Sequence, residues 1–450
     1  MIYRQVAASL LEFISRIEEH KNVLIVQGAR QVGKTYLIEQ TLSSLSQTHV
    51  SFNLEHDLIF RDEIDSSRDF EDFTVVLQQH NFIPGKGTIL YIDEAQESKK
   101  LGSYLRFMKE KWSYATVIIS GSSITKLFKD NERVPVGRIE YLHVTPLNFE
   151  EFLGALQKID LYHDAAAKKW CVTPSLHRAL LELYDEYLLI GGLPAIVEKY
   201  AQGISLEKLN IARKEIYLSQ QDDFYRKEPN LKPHLFKDGT QAVSDLLGLP
   251  FSLTRISPNH RDARATLETL NEWLITYSCQ QKALATTSEP RPKVYLYDIG
   301  LARQLRETSL PTSSLLKTKD SMLRNALGGL VENAIYLDAQ QGKGFLNDIS
   351  GWRNSPRNPV EVDFIIKASD RSIPVEVKCS ETLDQRHFSS IKIYLERTKN
   401  SLGILVSTAP YQEILYKEGI IINLSLYAVN FTTIKEVASR TFSNGYKFRD

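Results

Sequence analysis

The sequence predicts an α/β protein that begins with a doubly wound parallel sheet, and three stretches carry that prediction. Residues 23–35, VLIVQGARQVGKT, pass from an apolar strand-like run through a glycine-bounded loop into the helical pattern Tyr36, Leu37, Ile38. Residues 88–94, TILYIDE, are nearly all apolar until they end in two acids, as a parallel strand covered on both faces should read. Far downstream, residues 360–366 (VEVDFII) and 373–379 (IPVEVKC) alternate apolar and charged side chains with the period of half-buried strands.

The loop of the first stretch reads Gly28, Ala29, Arg30, Gln31, Val32, Gly33, Lys34, Thr35, which is the spacing of a phosphate-binding P-loop. Gly28 and Gly33 permit backbone angles and a close approach that a Cβ forbids, so successive N–H groups can curl around a β-phosphate. Lys34 sets a point charge on the β/γ oxygens. Thr35 offers its hydroxyl to Mg²⁺, a hard cation that prefers oxygen. ATP and Mg²⁺ are the expected ligands, with all eight loop residues at the nucleotide.

Length and charge bound the remainder. At roughly 150 residues per domain, a chain of 450 implies about three domains, each with its own core. The 55 basic and 55 acidic residues balance, so no overall field draws the chain onto nucleic acid or an anionic membrane. Three dispersed cysteines, Cys171, Cys279 and Cys379, and ten scattered histidines make neither a disulfide framework nor a zinc site. The N-terminal stretch reads as an amphipathic helix, not a signal peptide, and no run of about 18 apolar residues exists. A cytoplasmic protein with no membrane partner is expected.

After the loop's helix come a short strand at 50–54, an acidic irregular stretch, and a turn at Pro84 and Gly85. The strand at 88–92 delivers Asp93 and Glu94, a Walker B pair. Asp93 is expected to hold Mg²⁺ through a water and Glu94 to polarise the attacking water, so the pair implies hydrolysis. Another buried strand, 116–119, runs into Ser120, Gly121, Ser122 and Ser123. Ser120 or Ser122 is expected to sense the γ-phosphate, the alternative for either being an ordinary Gly/Ser turn. Arg138, ahead of a last strand, is a candidate for transition-state charge in cis or across a subunit interface, with a structural salt bridge as its alternative.

The order GARQVGKT, LYIDEAQ, ISGSS, GR and TPLNFEEFL resembles the prokaryotic AAA+/STAND-type ATPases that carry a C-terminal domain of unknown function with a nuclease-like fold. The resemblance implies a P-loop NTPase domain over 1–155 and carries over Gly28, Gly33, Lys34, Thr35, Asp93, Glu94, the tip from Ser120 to Ser122, and Arg138. A helical lid is expected over 156–240. In it Gly191, Gly192, Leu193 and Pro194 look like the family's GG-hydrophobic-P turn, and Asp222, Asp223, Phe224, Tyr225 and Arg226 are similar to its acidic helix near the nucleotide. Taken on their own, those five residues read as a solvated charged face.

Residues 241–300 run helix, loop, helix and strand pair, an order that resembles a winged helix, with Leu267, Leu270, Trp273, Leu274 and Tyr277 expected on one helical face. The opposite face mixes Arg261 and Arg264 with Glu268 and Glu272, a poor match to DNA phosphates, so packing stands as the alternative to DNA reading. In the region 301–450, a helix at 327–339 bears Glu332, and period two puts Glu376 and Lys378 on one strand face with Asp363 beside them. Glu332, Asp363 and Glu376 as Mg²⁺ ligands, with Lys378 activating water, would suit phosphodiester hydrolysis. This set resembles the PD-(D/E)xK, restriction-endonuclease-like α/β core, with Val362 in place of the name-giving proline.

The sequence therefore reads as a Mg²⁺-dependent ATPase whose nucleotide state controls a nuclease-like domain acting on DNA, with Glu94, Lys34, Arg138, Glu376 and Lys378 catalytic. The alternatives are a nucleotide-gated switch or binding module with an inactive nuclease-like fold, and a remodeller that assembles with further copies of itself.

Overall fold

A computed structural model of the chain describes residues 2–128, 137–283, 290–306, 316, 321–342, 345–346, 348–354, 360–368, 371–416 and 419–443. Five apolar strands build the first layer: β1 (Val23–Gln27), β2 (Thr48–Asn53), β3 (Thr88–Asp93), β4 (Thr116–Gly121) and β5 (Ile139–His143). They pair all-parallel in the order β2-β3-β4-β1-β5. Alternation within each strand feeds two cores. Leu24 and Val26 face α1 (Val6–Ser15) and α2 (Lys34–Ser43), while Val23 and Ile25 face α3 (Leu58–Ser66), α4 (Phe70–Gln79) and α5 (Leu101–Lys111). Because every strand runs the same way, the loop after β1, Asp93 and Ser120 gather at one edge.

Helices follow: α6 (Phe149–Ala155), α7 (Ile159–Ala167), α8 (Pro174–Ile190), α9 (Pro194–Ala201) and α10 (Leu206–Lys227). Asn148 and Glu151 close a capping box at the start of α6. The turn between α8 and α9 needs its glycines, since Gly191 has φ +81° and a Cβ on Gly192 would stand 2.3 Å from the Leu147 carbonyl oxygen. Next come α11 (Leu235–Asp245), α12 (His260–Glu272), β6 (Thr276–Cys279), β7 (Gln281–Ala283) and β8 (Lys293–Leu296), with β6 and β8 antiparallel. The helical face expected to run on to Tyr277 stops earlier. α12 ends at Glu272, Leu274 turns the chain at φ +56°, and Tyr277 lies in β6.

The C-terminal part comprises α13 (Ile299–Gln304), α14 (Ser321–Gln340), a short pair β9 (Gln341–Gly342) and β10 (Phe345–Leu346), β11 (Ile349–Arg353), β12 (Glu361–Ala368), β13 (Arg371–Lys378), α15 (Ser389–Thr398), β14 (Leu402–Ser407), β15 (Gln412–Tyr416), β16 (Gly419–Ser425) and α16 (Phe431–Ser443). Seven strands form a mixed sheet in the order β15-β16-β14-β13-β12-β11-β7. Its last member comes from the preceding module: β7 pairs parallel to β11, with Gly351 opposite Gln281 and Arg353 opposite Ala283. The border expected at 300/301 falls inside α13. Nor do the cores follow the expected domains one for one: the largest apolar cluster runs from Val6 of α1 through α6–α10 to Ala438 of α16, and separate clusters lie on the other face of the first sheet and around Trp352 and Ile391. Among the described residues no helix is long and apolar enough to cross a membrane.

Candidate functional site

The loop after β1 is built for close approach. A Cβ on Gly28 would lie 2.0 Å from the Val144 carbonyl oxygen, and Gly33 sits at φ +90° as α2 begins. Arg4 braces the loop from beneath, donating to the carbonyls of Val32 at 3.0 Å and Thr145 at 2.6 Å. Lys34 Nζ donates to the Gly28 and Ala29 carbonyls at 2.9 and 3.0 Å. Burial lowers its pKa to about 8 from an ordinary 10.5, against the opposing pull of Glu94 and Asp93.

Four donors converge on the Asp93 carboxylate. Thr35 Oγ1 reaches Oδ2 at 2.7 Å, Asn53 Nδ2 reaches it at 3.2 Å, and the Glu94 N–H reaches Oδ1 at 2.9 Å. The fourth is Ser120 Oγ, which also meets the Tyr91 hydroxyl at 2.9 Å. Ser120, not Ser122, therefore joins the site. The sheet order explains this, for β4 lies between β1 and β3 and sets its tip beside both motifs. Asn53 went unnoticed in sequence, although it ends β2 level with Asp93. Glu94 adopts φ +48°, a strained angle for a non-glycine residue, and receives a hydrogen bond from Gln96 Nε2.

Arg30 points from the loop toward α10, pairing with Asp223 and lying 3.2 Å from Glu55. Asp223 is only 1% exposed, and Gln220 Nε2 binds both the Arg30 carbonyl at 3.3 Å and the Tyr297 hydroxyl at 2.7 Å. One turn further along α10, Lys227 lies 2.5 Å from Glu97, just after the Walker B pair. The reading of this helix end as a solvated face is thus overturned for Asp223, whose carboxylate faces inward to the loop.

Arg138 is a second correction. It immediately precedes β5, whose first residue pairs with Val23 at the start of β1. It therefore lies at the opposite end of a five-residue strand, about 16 Å from its own phosphate loop. There it makes a 2.7 Å salt bridge with Glu110. A role for Arg138 in cis is ruled out by that distance.

In the C-terminal sheet, antiparallel pairing of β12 and β13 brings Asp363 and Glu376 to one cleft of about 810 Å³, with Glu332 of α14 and Lys378 on its walls. A lysine from outside the sheet completes it. Lys293 Nζ, carried by β8, lies 2.6 Å from Glu361 Oε1, 2.8 Å from Asp363 Oδ1 and 2.9 Å from Glu332 Oε1. Tyr295 donates to Glu332 at 2.6 Å, the Val377 N–H to Asp363 at 2.9 Å, and Lys378 to Glu376 at 2.6 Å. Burial pulls the Lys293 pKa down, and the three carboxylates more than reverse this, holding it well above its ordinary value. Burial and the nearby Asp363 push Glu332 and Glu376 upward.

The four expected residues line this one cleft, and Glu332 and Asp363 meet there around the Lys293 ammonium; among the described residues no group of three or more His, Cys, Asp or Glu side chains is arranged to hold a metal. Lys293, Tyr295 and Glu361 were missed. Only Glu361 left a signal, two positions before Asp363 on the same strand face.

Residues 20–153 match the family model described as the AAA domain. The chain carries an AAA-type ATPase domain. Residues 181–312 and 327–427 of this AAA-type ATPase match two models described as domains of unknown function, DUF8612 and DUF4143. An uncharacterized protein of Methanocaldococcus jannaschii, MJ1544, is 22% identical over 392 residues, covering 84% of this chain and 79% of its own. The Thermotoga maritima RuvB Holliday junction branch migration motor is similar at 15% identity and a TM-score of 0.28, over 61% of this chain and 87% of that one. Caenorhabditis elegans PCH-2 is similar at 13% identity and a TM-score of 0.26, over 47% of this chain and 60% of that one.

Proposed function

We propose that this AAA-type ATPase is a Mg²⁺-dependent, nucleotide-gated switch that passes the state of its phosphate loop to the C-terminal sheet through α10. The observation that carries the reading is the ion pair between Arg30 of the loop and the buried Asp223 of α10. The contacts of α10 with the loop, with Glu97 after the Walker B pair and with Tyr297 fall between Gln220 and Lys227, about 10 Å of helix at its C-terminal end. Tyr297, bonded to Gln220, lies one residue beyond β8, whose Lys293 enters the C-terminal cleft.

The residues fit ATP and Mg²⁺. The cradle around Gly28 has no room for a Cβ, and Thr35 and Asp93 present adjacent oxygens, the donors a hard cation prefers. In this reading Lys34 and the loop amides hold the phosphates, Thr35 and Asp93 hold Mg²⁺, Ser120 and Asn53 orient Asp93, and Glu94 orients the attacking water. Mg²⁺, when bound, neutralises phosphate charge. Glu94→Gln should abolish turnover and spare nucleotide binding.

Charge gives DNA little foothold. The cleft walls carry Asp245, Glu332, Glu361, Asp363 and Glu376 against Lys293, Arg306 and Lys378, and α12 exposes both signs. Cleavage is a second reading, favoured by the close pairing of Lys378 with Glu376 beside the cleft. Hydrogen exchange of the whole chain with and without a non-hydrolysable ATP analogue tests the switch. Altered protection of α10 and β8, lost in Asp223→Asn, is expected; changes confined to the first sheet would sink it. A nuclease screen with Mg²⁺ is expected to leave DNA and RNA intact, and Glu376-dependent cutting would favour the second reading.

A further inference from the structure

The carboxylate cluster of the C-terminal sheet already holds a cation, and the cation is part of the chain. Lys293 has three N–H donors and meets three carboxylate oxygens at 2.6–2.9 Å, one each from Glu361 and Asp363 of β12 and one from Glu332 of α14. These are the lengths of charge-assisted hydrogen bonds. Its side chain is 1% exposed, so the ammonium depends on these carboxylates, while Glu361, 23% exposed, still faces the cleft. A divalent ion bound by the same oxygens would need them at about 2.0–2.6 Å and would face a positive ammonium at almost the same point. The two cannot share those three oxygens.

The lysine also has a telling origin. β8 pairs with β6 in a hairpin that precedes the seven-stranded sheet, and the neighbouring β7 joins that sheet at its edge. The same charges therefore bind one structural unit to another. Burying four carboxylates together is unfavourable unless cations answer them, and Lys293 answers three while Lys378 answers Glu376.

We propose that Lys293 is the resident cation of this cluster, standing where a divalent metal would, so that the docked C-terminal sheet takes no metal and the ammonium locks the hairpin to it. The lock does not depend on the nucleotide reading, since none of Lys293, Glu332, Glu361 and Asp363 belongs to the phosphate loop or the Walker B pair.

The test uses the full-length chain without nucleotide and titrates it with Mn²⁺, following free Mn²⁺ by its paramagnetic resonance signal and thermal stability in parallel. Wild type is expected to bind no Mn²⁺ at the cluster and to keep its Tm. Lys293→Gln is expected to gain one equivalent of bound Mn²⁺ and to recover a lowered Tm, or its ability to refold, only when Mn²⁺ is present. The triple variant Lys293→Gln/Asp363→Asn/Glu332→Gln, in which neutral side chains fill the cluster, should fold without Mn²⁺ and bind none. Two results would overturn the proposal: an equivalent of Mn²⁺ on wild type that disappears in Asp363→Asn, or a folded Lys293→Gln that gains no site.

Discussion

Lys34 is caught between burial, which favours its neutral form, and its expected work on phosphate, which needs the charge. With a folded pKa of about 8 against an ordinary 10.5, the folded protein sheds this proton before the unfolded chain does. Between those two pH values the unfolded state binds more protons, so this group adds stability as pH climbs through the window. Nucleotide affinity moves the opposite way, because deprotonation removes the charge. The dissociation constant for ATP should rise about tenfold from pH 7 to pH 9, measured by calorimetry at constant Mg²⁺. Asp338 shows the reverse chemistry. Among the described residues both its oxygens are buried without a hydrogen-bond partner, and burial, with Glu151 and Glu150 adding to it, raises its pKa well above the ordinary carboxylate value. The folded state then binds the extra proton, and stability is lost as pH rises from the ordinary value through the raised one. Asp338→Asn should therefore raise Tm at pH 8, worth about 1–3 kcal/mol, with the gain fading as the pH approaches 4.

At the scale of elements, connections carry the site. The α8–α9 turn is pressed against the strand-to-helix link after β5, where the Leu147 N–H donates to the Gly192 carbonyl at 2.7 Å. A methyl group at Gly192 would have to displace backbone, so Gly192→Ala should cost about 1–3 kcal/mol by chemical denaturation. Pro194 of the same turn stands against Gly33, so the variant should also weaken ATP binding. Elements with strong local periodicity were legible in the sequence. β1, α2, β3 and β4 arise where apolar runs and glycines leave few options, and Asp93 follows from its strand. The end of α10 was not legible. An Asp-Asp-Phe-Tyr-Arg string fits a wet face equally well, and only the loop opposite it makes Asp223 an inward residue.

For the whole molecule, the interlocking of parts outweighs their succession. β7 lies in the C-terminal sheet, Lys293 in its charge cluster, and Asn430 near the end bonds the Tyr162 hydroxyl at 2.8 Å. Severing the chain between Gly300 and Leu301 should leave neither piece folded: residues 301–450 would have an uncovered β11 edge and two carboxylates, Glu332 and Asp363, stripped of their ammonium, while Glu361 keeps Arg353. Circular dichroism and proteolysis of the separate pieces, against a cooperative melt of the intact chain, check this. Either fragment folding independently would refute it.

The sequence by itself determined the phosphate loop, the Walker B pair, the first sheet and the alternating strands of the last one. Each of these is written in residues close together in the chain, where backbone freedom and burial period act locally. Tertiary structure alone decided that Arg138 stands at the wrong end of its sheet, that Asp223 reaches the loop, and that an ammonium fills the carboxylate cluster. Those outcomes depend on pairings far apart in the chain, such as Lys293 with Asp363 across 70 residues, which no local pattern encodes because charge meets charge only after the strands have packed.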